Sequence, residues 1–168
     1  ISLYYEQIEA GRFFLHEHPA WATSWSMDAM EQLEQVPSVQ RVQGDQCQFG
    51  AEIMTGIHRG DPVKKPTGFL TNSEEVAKVL SKHCEGVGGQ CSRRNGGTHR
   101  LRSGSHARNA ARYPRGLCKA VLRGITNQLK VMGLIKDGCF GIQVPDEDAE
   151  ILKEMHGPAQ GYSGQFKD

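Results

Sequence analysis

Residues 12–25 read Arg-Phe-Phe-Leu-His-Glu-His-Pro-Ala-Trp-Ala-Thr-Ser-Trp. The apolar run Phe13 to Leu15, with its aromatic β-formers, predicts a buried strand over 13–16. That strand delivers Glu17, set between His16 and His18 and followed by Pro19, to its C-terminal end before a helix expected from about Ser24. Strand ends of this kind are where open α/β sheets place their chemistry.

Upstream, Leu3 to Ala10 has helical composition with Leu3, Tyr4 and Ile8 on one side, and Gly11 is a natural stop. Downstream, Trp25, Met27, Met30, Leu33 and Val36 recur at helical spacing until Pro37 ends the helix, a stripe that reads as core. Val39 to Val42 alternates as a half-buried strand should, and residues 51–65 read as a surface loop or worn hairpin. Gly68 to Thr71 forms a third short strand. Asn72 and Glu75 then have capping-box spacing ahead of a helix carrying Val76, Val79 and Leu80 and running to about His83. Residues 84–105 are Gly-, Ser- and Arg-rich and predict irregular structure. Pro114 is placed to open a helix with Leu117, Val121, Ile125 and Leu129 on a stripe and Gly133 as its stop. A short acidic helix over 146–155 and a Gly/Ser/Pro-rich linker complete the chain.

Strands near 13, 39 and 69 alternating with helices predict an α/β fold, a partial Rossmann-like three-layer unit that looks like half of a larger sheet. The expected organisation is a single domain over 1–135, with a loop-rich basic insert at about 84–112, and an acidic tail and linker over 136–168. A chain of 168 residues can bury one core of this size. No apolar run approaches the roughly 18 residues that span a bilayer, and no signal peptide is visible, which favours an intracellular (nuclear or cytoplasmic) location. The first residue, Ile1, suggests a fragment or processed product.

The net charge of +1 conceals a segregation. Residues 1–85 hold 12 acids and 7 bases, residues 86–136 hold 11 bases and no acid, and residues 137–168 hold 7 acids and 2 bases. Such a central block has the electrostatic footprint of a phosphate-binding surface, with Arg93, Arg94, Arg100, Arg102, Arg108, Arg112 and Arg115, joined by Lys64 and Lys65, as candidate nucleic-acid contacts. The alternative is that these charges solvate helix faces and pair with acids from the flanking thirds.

Five cysteines without a secretory signal read as reduced thiols or metal ligands before disulfides. Cys84-x6-Cys91-x7-His99-x6-His106 offers zinc-capable side chains in one loop, with Cys47 as an alternative ligand. The gaps are longer than the close pairs of standard zinc sites. Unliganded thiols and solvated imidazoles are the other reading. Glu17 is the carboxylate of interest: raised in pKa by burial it could donate a hydrogen bond to a base, or it could accept N–H bonds at the following helix start while His16 and His18 sit at the surface. The glycines of 86–97 lack the Gly-Lys-Ser/Thr ending of a phosphate loop, and no hydrolase elbow occurs.

The order His-Glu-His-Pro-x4-Ser-Trp, then Asp-Gln-Cys-x-Phe-Gly, then Lys-Lys-Pro-Thr-Gly-Phe-Leu-Thr-Asn resembles the second half of cytosine-5 DNA methyltransferase-like proteins. That resemblance implies that Glu17 stands where the family's glutamate hydrogen-bonds a flipped cytosine, and that Phe49-Gly50 and Lys64 to Thr67 lie near base and backbone. His18 replaces the family's Asn or Val, no Gly-rich cofactor loop precedes Glu17, and no Pro-Cys nucleophile does either; Cys47 follows it. Over nearly the whole chain, Tyr-x2-Gln-x3-Gly-Arg-x-Phe-Leu-His-Glu-His-Pro and Ala-Arg-Tyr-Pro-x2-Leu-Cys-x-Ala resemble the segment upstream of the reverse transcriptase in copia-like retrotransposon polyproteins. Together these imply a non-catalytic, nucleic-acid-associated polyprotein segment, with Glu17, Trp21 and Trp25 able to face a base. The alternatives are an accessory subunit docking on a protein partner, and half of a methyltransferase-like enzyme completed by upstream residues. The isolated chain is then expected not to bind S-adenosylmethionine.

Overall fold

The computed structural model describes residues 1–100 and 113–136, and Ile1–Ile135 form one compact unit. The expected acidic tail, its helix over 146–155 and part of the basic insert lie outside the described residues. Among the described residues the fold mixes four helices with one small sheet: α1 (Ser2–Glu9), β1 (Leu15–Pro19), α2 (Asp28–Glu34), β2 (Gln40–Asp45), β3 (Pro66–Thr71), α3 (Glu74–Leu80) and α4 (Arg115–Val131).

The sheet order is β1-β3-β2, with β3 antiparallel to both neighbours; Glu17 and Val42 both stand opposite Phe69. β1 and β2 therefore run parallel to each other with β3 inserted between them, a split β-α-β arrangement. The αβ alternation in the sequence pointed to adjacent parallel strands of a Rossmann-like unit. The described sheet has no adjacent parallel pair. The reason lies in the β2–β3 connection, which carries no helix able to cross a sheet face.

Phe69 and Leu70 are neighbours in β3 and so point to opposite faces. Leu70 packs with Phe14, Trp25, Met30, Leu33 and Val39, a cluster flanked by Tyr4, Tyr5 and Ile8 of α1. Phe69 packs with Phe49, Val76, Leu80, Leu117 and Ala120 beneath α3 and α4. Each face of the sheet thus has its own apolar core.

Several local expectations shift by a residue or a turn. The helix expected from Ser24 is split: Thr23–Ser26 is a 3-10 turn that buries Trp25, Met27 is extended, and α2 starts at Asp28, where Asp28 and Glu31 complement the helix N-terminus. The cap of α3 is Ser73, whose Oγ accepts from Val76 N–H at 3.3 Å. Asn72 instead ties down the entry to β1, accepting from Phe14 N–H and donating to Arg12 O, both at 2.9 Å. Leu3 is exposed while Tyr5 joins the packed side of α1. In α4 the buried face is Leu117, Ala120 and Gly124, and Ile125 turns outward. Gly124 decides that rotation, because a Cβ there would lie 2.7 Å from Val76 Cα; only glycine lets α4 press so closely on α3. Gly11 and Gly133 end α1 and α4 at positive φ, as expected.

Candidate metal centre

Between α3 and α4 the described residues have little apolar material to bury, and the compact feature there is sulfur. Cys47, Cys84 and Cys91 are all buried and cluster together. With His99 they place four ligand atoms within 4.8 Å of one another, a set that could hold a metal ion. Cys84 Sγ lies 3.8 Å from Cys91 Sγ and 3.5 Å from His99 Nε2. A tetrahedral zinc with Zn–S of about 2.3 Å and Zn–N of about 2.0–2.1 Å has S···S edges of about 3.8 Å and S···N edges of about 3.6 Å. The Cys84–Cys91 and Cys84–His99 separations match those edges, and the remaining donors lie within reach of the same ion.

Three backbone devices build this arrangement. Cys47 sits in the 3-10 turn Gln46–Phe49 that closes β2. Asp45, at the end of β2, accepts Cys84 N–H through Oδ2 at 2.8 Å, which draws the chain leaving α3 back to that turn. Cys91 and His99 are set side by side by a small hairpin bridged at Gln90 and Thr98, in which Cys91 N–H donates to Gly97 O and His99 N–H to Gly89 O. A second hairpin, bridged at Glu52 and Pro62, packs alongside. The worn hairpin anticipated for 51–65 is this element.

The groups around Cys84 favour a negative sulfur. Burial by itself would raise the Cys84 thiol, but hydrogen bonds from Ser92 N–H and O–H and from Gly86 N–H outweigh it and bring it down to about 6. Cys47 is pushed the other way, first by burial and then by the neighbouring Cys91 and Cys84 sulfurs. A cation among the thiols would relieve that mutual repulsion. Gln48 Nε2 donates to Ser92 Oγ at 3.1 Å and also approaches the Cys47 and Cys91 sulfurs.

Of the loop residues expected to bind metal, Cys84, Cys91 and His99 meet, and His106 lies outside the described residues. The fourth donor is Cys47, the alternative ligand, far upstream in the chain. The Asp45–Cys84 tether, with Asp45 N–H donating to Lys82 O and Gln48 to Ser92 Oγ, brings the two segments together.

The candidate phosphate contacts have varied placements. Arg93 reaches into the protein, donating to Gly60 O at 2.6 Å and Gly96 O at 2.9 Å and facing Glu52 at 3.5 Å. Arg100 pairs with Asp61 at 2.8 Å, a carboxyl that this guanidinium holds below its ordinary value. Lys64 pairs with Asp45 at 3.7 Å. Arg94 and Arg115 are exposed, and Arg102, Arg108 and Arg112 lie outside the described residues.

Glu17 occupies the sheet corner next to the thiol cluster, and Gln46 joins the two. Fully buried, Gln46 donates through Nε2 to Thr67 Oγ1 at 3.1 Å and to Glu17 Oε1 at 3.5 Å. Lys65 Nζ lies 3.7 Å from Glu17 Oε1, and Tyr113 O–H donates to Oε2 at 2.8 Å. That hydrogen bond, followed by burial, raises the Tyr113 phenol. Trp25 belongs to the core: its Nε1–H donates to Pro19 O at 2.8 Å, Arg41 covers its ring at 4.1 Å, and a Cβ on Gly68 would lie 2.7 Å from the ring. His16 and His18 pack beside Trp25, with His16 Nδ1 bonded to Tyr4 O–H at 2.9 Å. Trp21, by contrast, is 79% exposed.

No protein family, curated protein or solved structure matches this chain. No helix among the described residues is long and apolar enough to cross a membrane.

Proposed function

We propose that this chain is a non-catalytic, nucleic-acid-associating module whose basic half is organised on a structural zinc ion. The four-donor geometry of Cys47, Cys84, Cys91 and His99 carries this reading. Three buried cysteines and a half-buried histidine complete a tetrahedral ion and leave no position for water or substrate, which is the mark of a structural site rather than a catalytic one. Three thiolates and an imidazole suit zinc over the harder cations that prefer oxygen. Bound there, zinc joins the β2 corner to the loop after α3; the protein residues supply the hydrogen bonds that hold the sulfurs in place.

The acid-free stretch 86–136 supports nucleic acid as the partner, and the motif order resembling copia-like polyproteins fits such a role. The methyltransferase-like kinship draws no support from the antiparallel sheet, and Glu17 is engaged by Lys65, Gln46 and Tyr113. The purified chain should contain one zinc and bind both DNA and RNA at low salt, with affinity falling steeply as salt rises. Absence of binding at low salt removes the nucleic-acid reading; absence of zinc removes the structural-ion reading. The pairing of Arg93 with Glu52 and of Arg100 with Asp61 favours a second reading, an accessory module whose charges serve its own fold and which docks on a protein partner.

A further inference from the structure

Two exposed aromatic rings share the sheet corner where β1 ends and β3 begins, and neither contributes to either core. Trp21 is 79% exposed and Tyr113 is 55% exposed. A series of contacts runs from the Tyr113 hydroxyl to Ala20, the residue before Trp21. Tyr113 is anchored to Glu17, Glu17 faces Lys65, and the next residue, Pro66, accepts Ala20 N–H at 3.1 Å through its carbonyl. Ala20 O in turn accepts from Arg41 Nη2 at 3.2 Å, so Trp21 leaves the backbone between a lysine-bearing strand start and a guanidinium. Single exposed apolar side chains are ordinary on protein surfaces. Two rings near Lys65 and Arg41, which pair with Glu17 and Glu34, beside a helix that opens with Arg115 in an acid-free segment, form a more particular surface.

From this corner we infer that the chain binds single-stranded nucleic acid by stacking unpaired bases on Trp21 and Tyr113, with Lys65 and Arg41 beside the sugar-phosphate path. The inference rests on the nucleic-acid reading above and names the form of the polymer. An exposed ring face accepts any base through its π-face, and the Tyr113 ring, pinned at its hydroxyl by Glu17, keeps its faces in place, while a duplex keeps its bases stacked on each other and offers these rings nothing. Backbone phosphates supply the salt-dependent part of the affinity, and the rings supply the preference for an open strand.

The test measures binding of the zinc-loaded full chain to oligothymidine, to an abasic oligomer of equal length and to a duplex. Trp21→Ala and Tyr113→Ala should each weaken oligothymidine binding by about 5- to 150-fold. They should leave abasic and duplex binding unchanged. Tyr113→Phe, which keeps the ring and loses the Glu17 bond, should bind oligothymidine as the parent does. The parent should also show Trp21 fluorescence quenched by oligothymidine, with buried Trp25 as the unquenched remainder. Equal affinity for duplex and single strand, untouched by Trp21→Ala, overturns the stacking inference while leaving nucleic-acid association standing. Failure to bind any of the three at low salt overturns both.

Discussion

The two ends of the described structure are held by different physics. The sheet with α1 and α2 is a small apolar core in which Leu33 and Leu70 are fully buried and Trp25 is sealed beneath Arg41. The described stretch between α3 and α4 buries Cys84 and Cys91, which meet Cys47 from the β2 turn, and almost nothing else apolar, so donor geometry replaces the hydrophobic effect as its organising force. A glycine-rich segment can afford to lack a core when an ion fixes its turns. The difference also divides the roles of the surface: arginine beside the thiol cluster ties hairpins together, whereas the Trp21 and Tyr113 rings at the sheet corner are exposed.

Removing the ion should break the contrast most completely, since structural zinc in small sites contributes about 10–16 kcal/mol of apparent binding energy. Chelation, or Cys84→Ser, should expose amides of 84–99 and 51–63 to hydrogen exchange while β1, β3 and α2 stay protected. Simultaneous loss of protection everywhere would show that the two regions are one cooperative unit. Leu70→Ala probes the other side of the comparison. It should cost about 2–5 kcal/mol in urea unfolding without changing metal content. Gly124→Ala, which forces α4 away from Val76, should cost about 1–3 kcal/mol and report on the second face of the sheet.

The smallest effect concerns pH. Burial, then the adjacent His18, holds His16 below its ordinary value of 6.5, with Glu17 opposing. The folded state therefore binds fewer protons than the unfolded chain just below pH 6.5, so stability rises with pH through that window and is complete above it. Unfolding measured at pH 7.5 and pH 5.5 should show the loss at the lower value, and His16→Gln should flatten it. An unchanged slope in that variant would assign the pH dependence elsewhere.

The sequence made the local elements legible because their signals are local. Pro37, Gly11 and Gly133 end helices where the chain says they do, and the three strands fall within a few residues of their apolar runs. Sheet order was not legible: the pattern of β1, α2 and β2 is equally compatible with a closed parallel pair or with β3 slipping between them, and pairing is decided by long-range contact. The metal centre was half legible for the same reason. Cys84, Cys91 and His99 share one loop, while Cys47 is brought in by the Asp45 tether, which spacing does not encode. Trp25 and Trp21 look alike in sequence; long-range packing with Leu33 and Leu70, and the room that Gly68 leaves, make one of them core.

Replacing zinc by cobalt(II) addresses the central claim most directly. One cobalt bound by Cys47, Cys84, Cys91 and His99 should give the intense visible bands of a tetrahedral ion together with sulfur-to-metal charge transfer in the near ultraviolet, and Cys47→Ser should weaken both. Pale, octahedral-type spectra, or spectra indifferent to Cys47, would contradict the account.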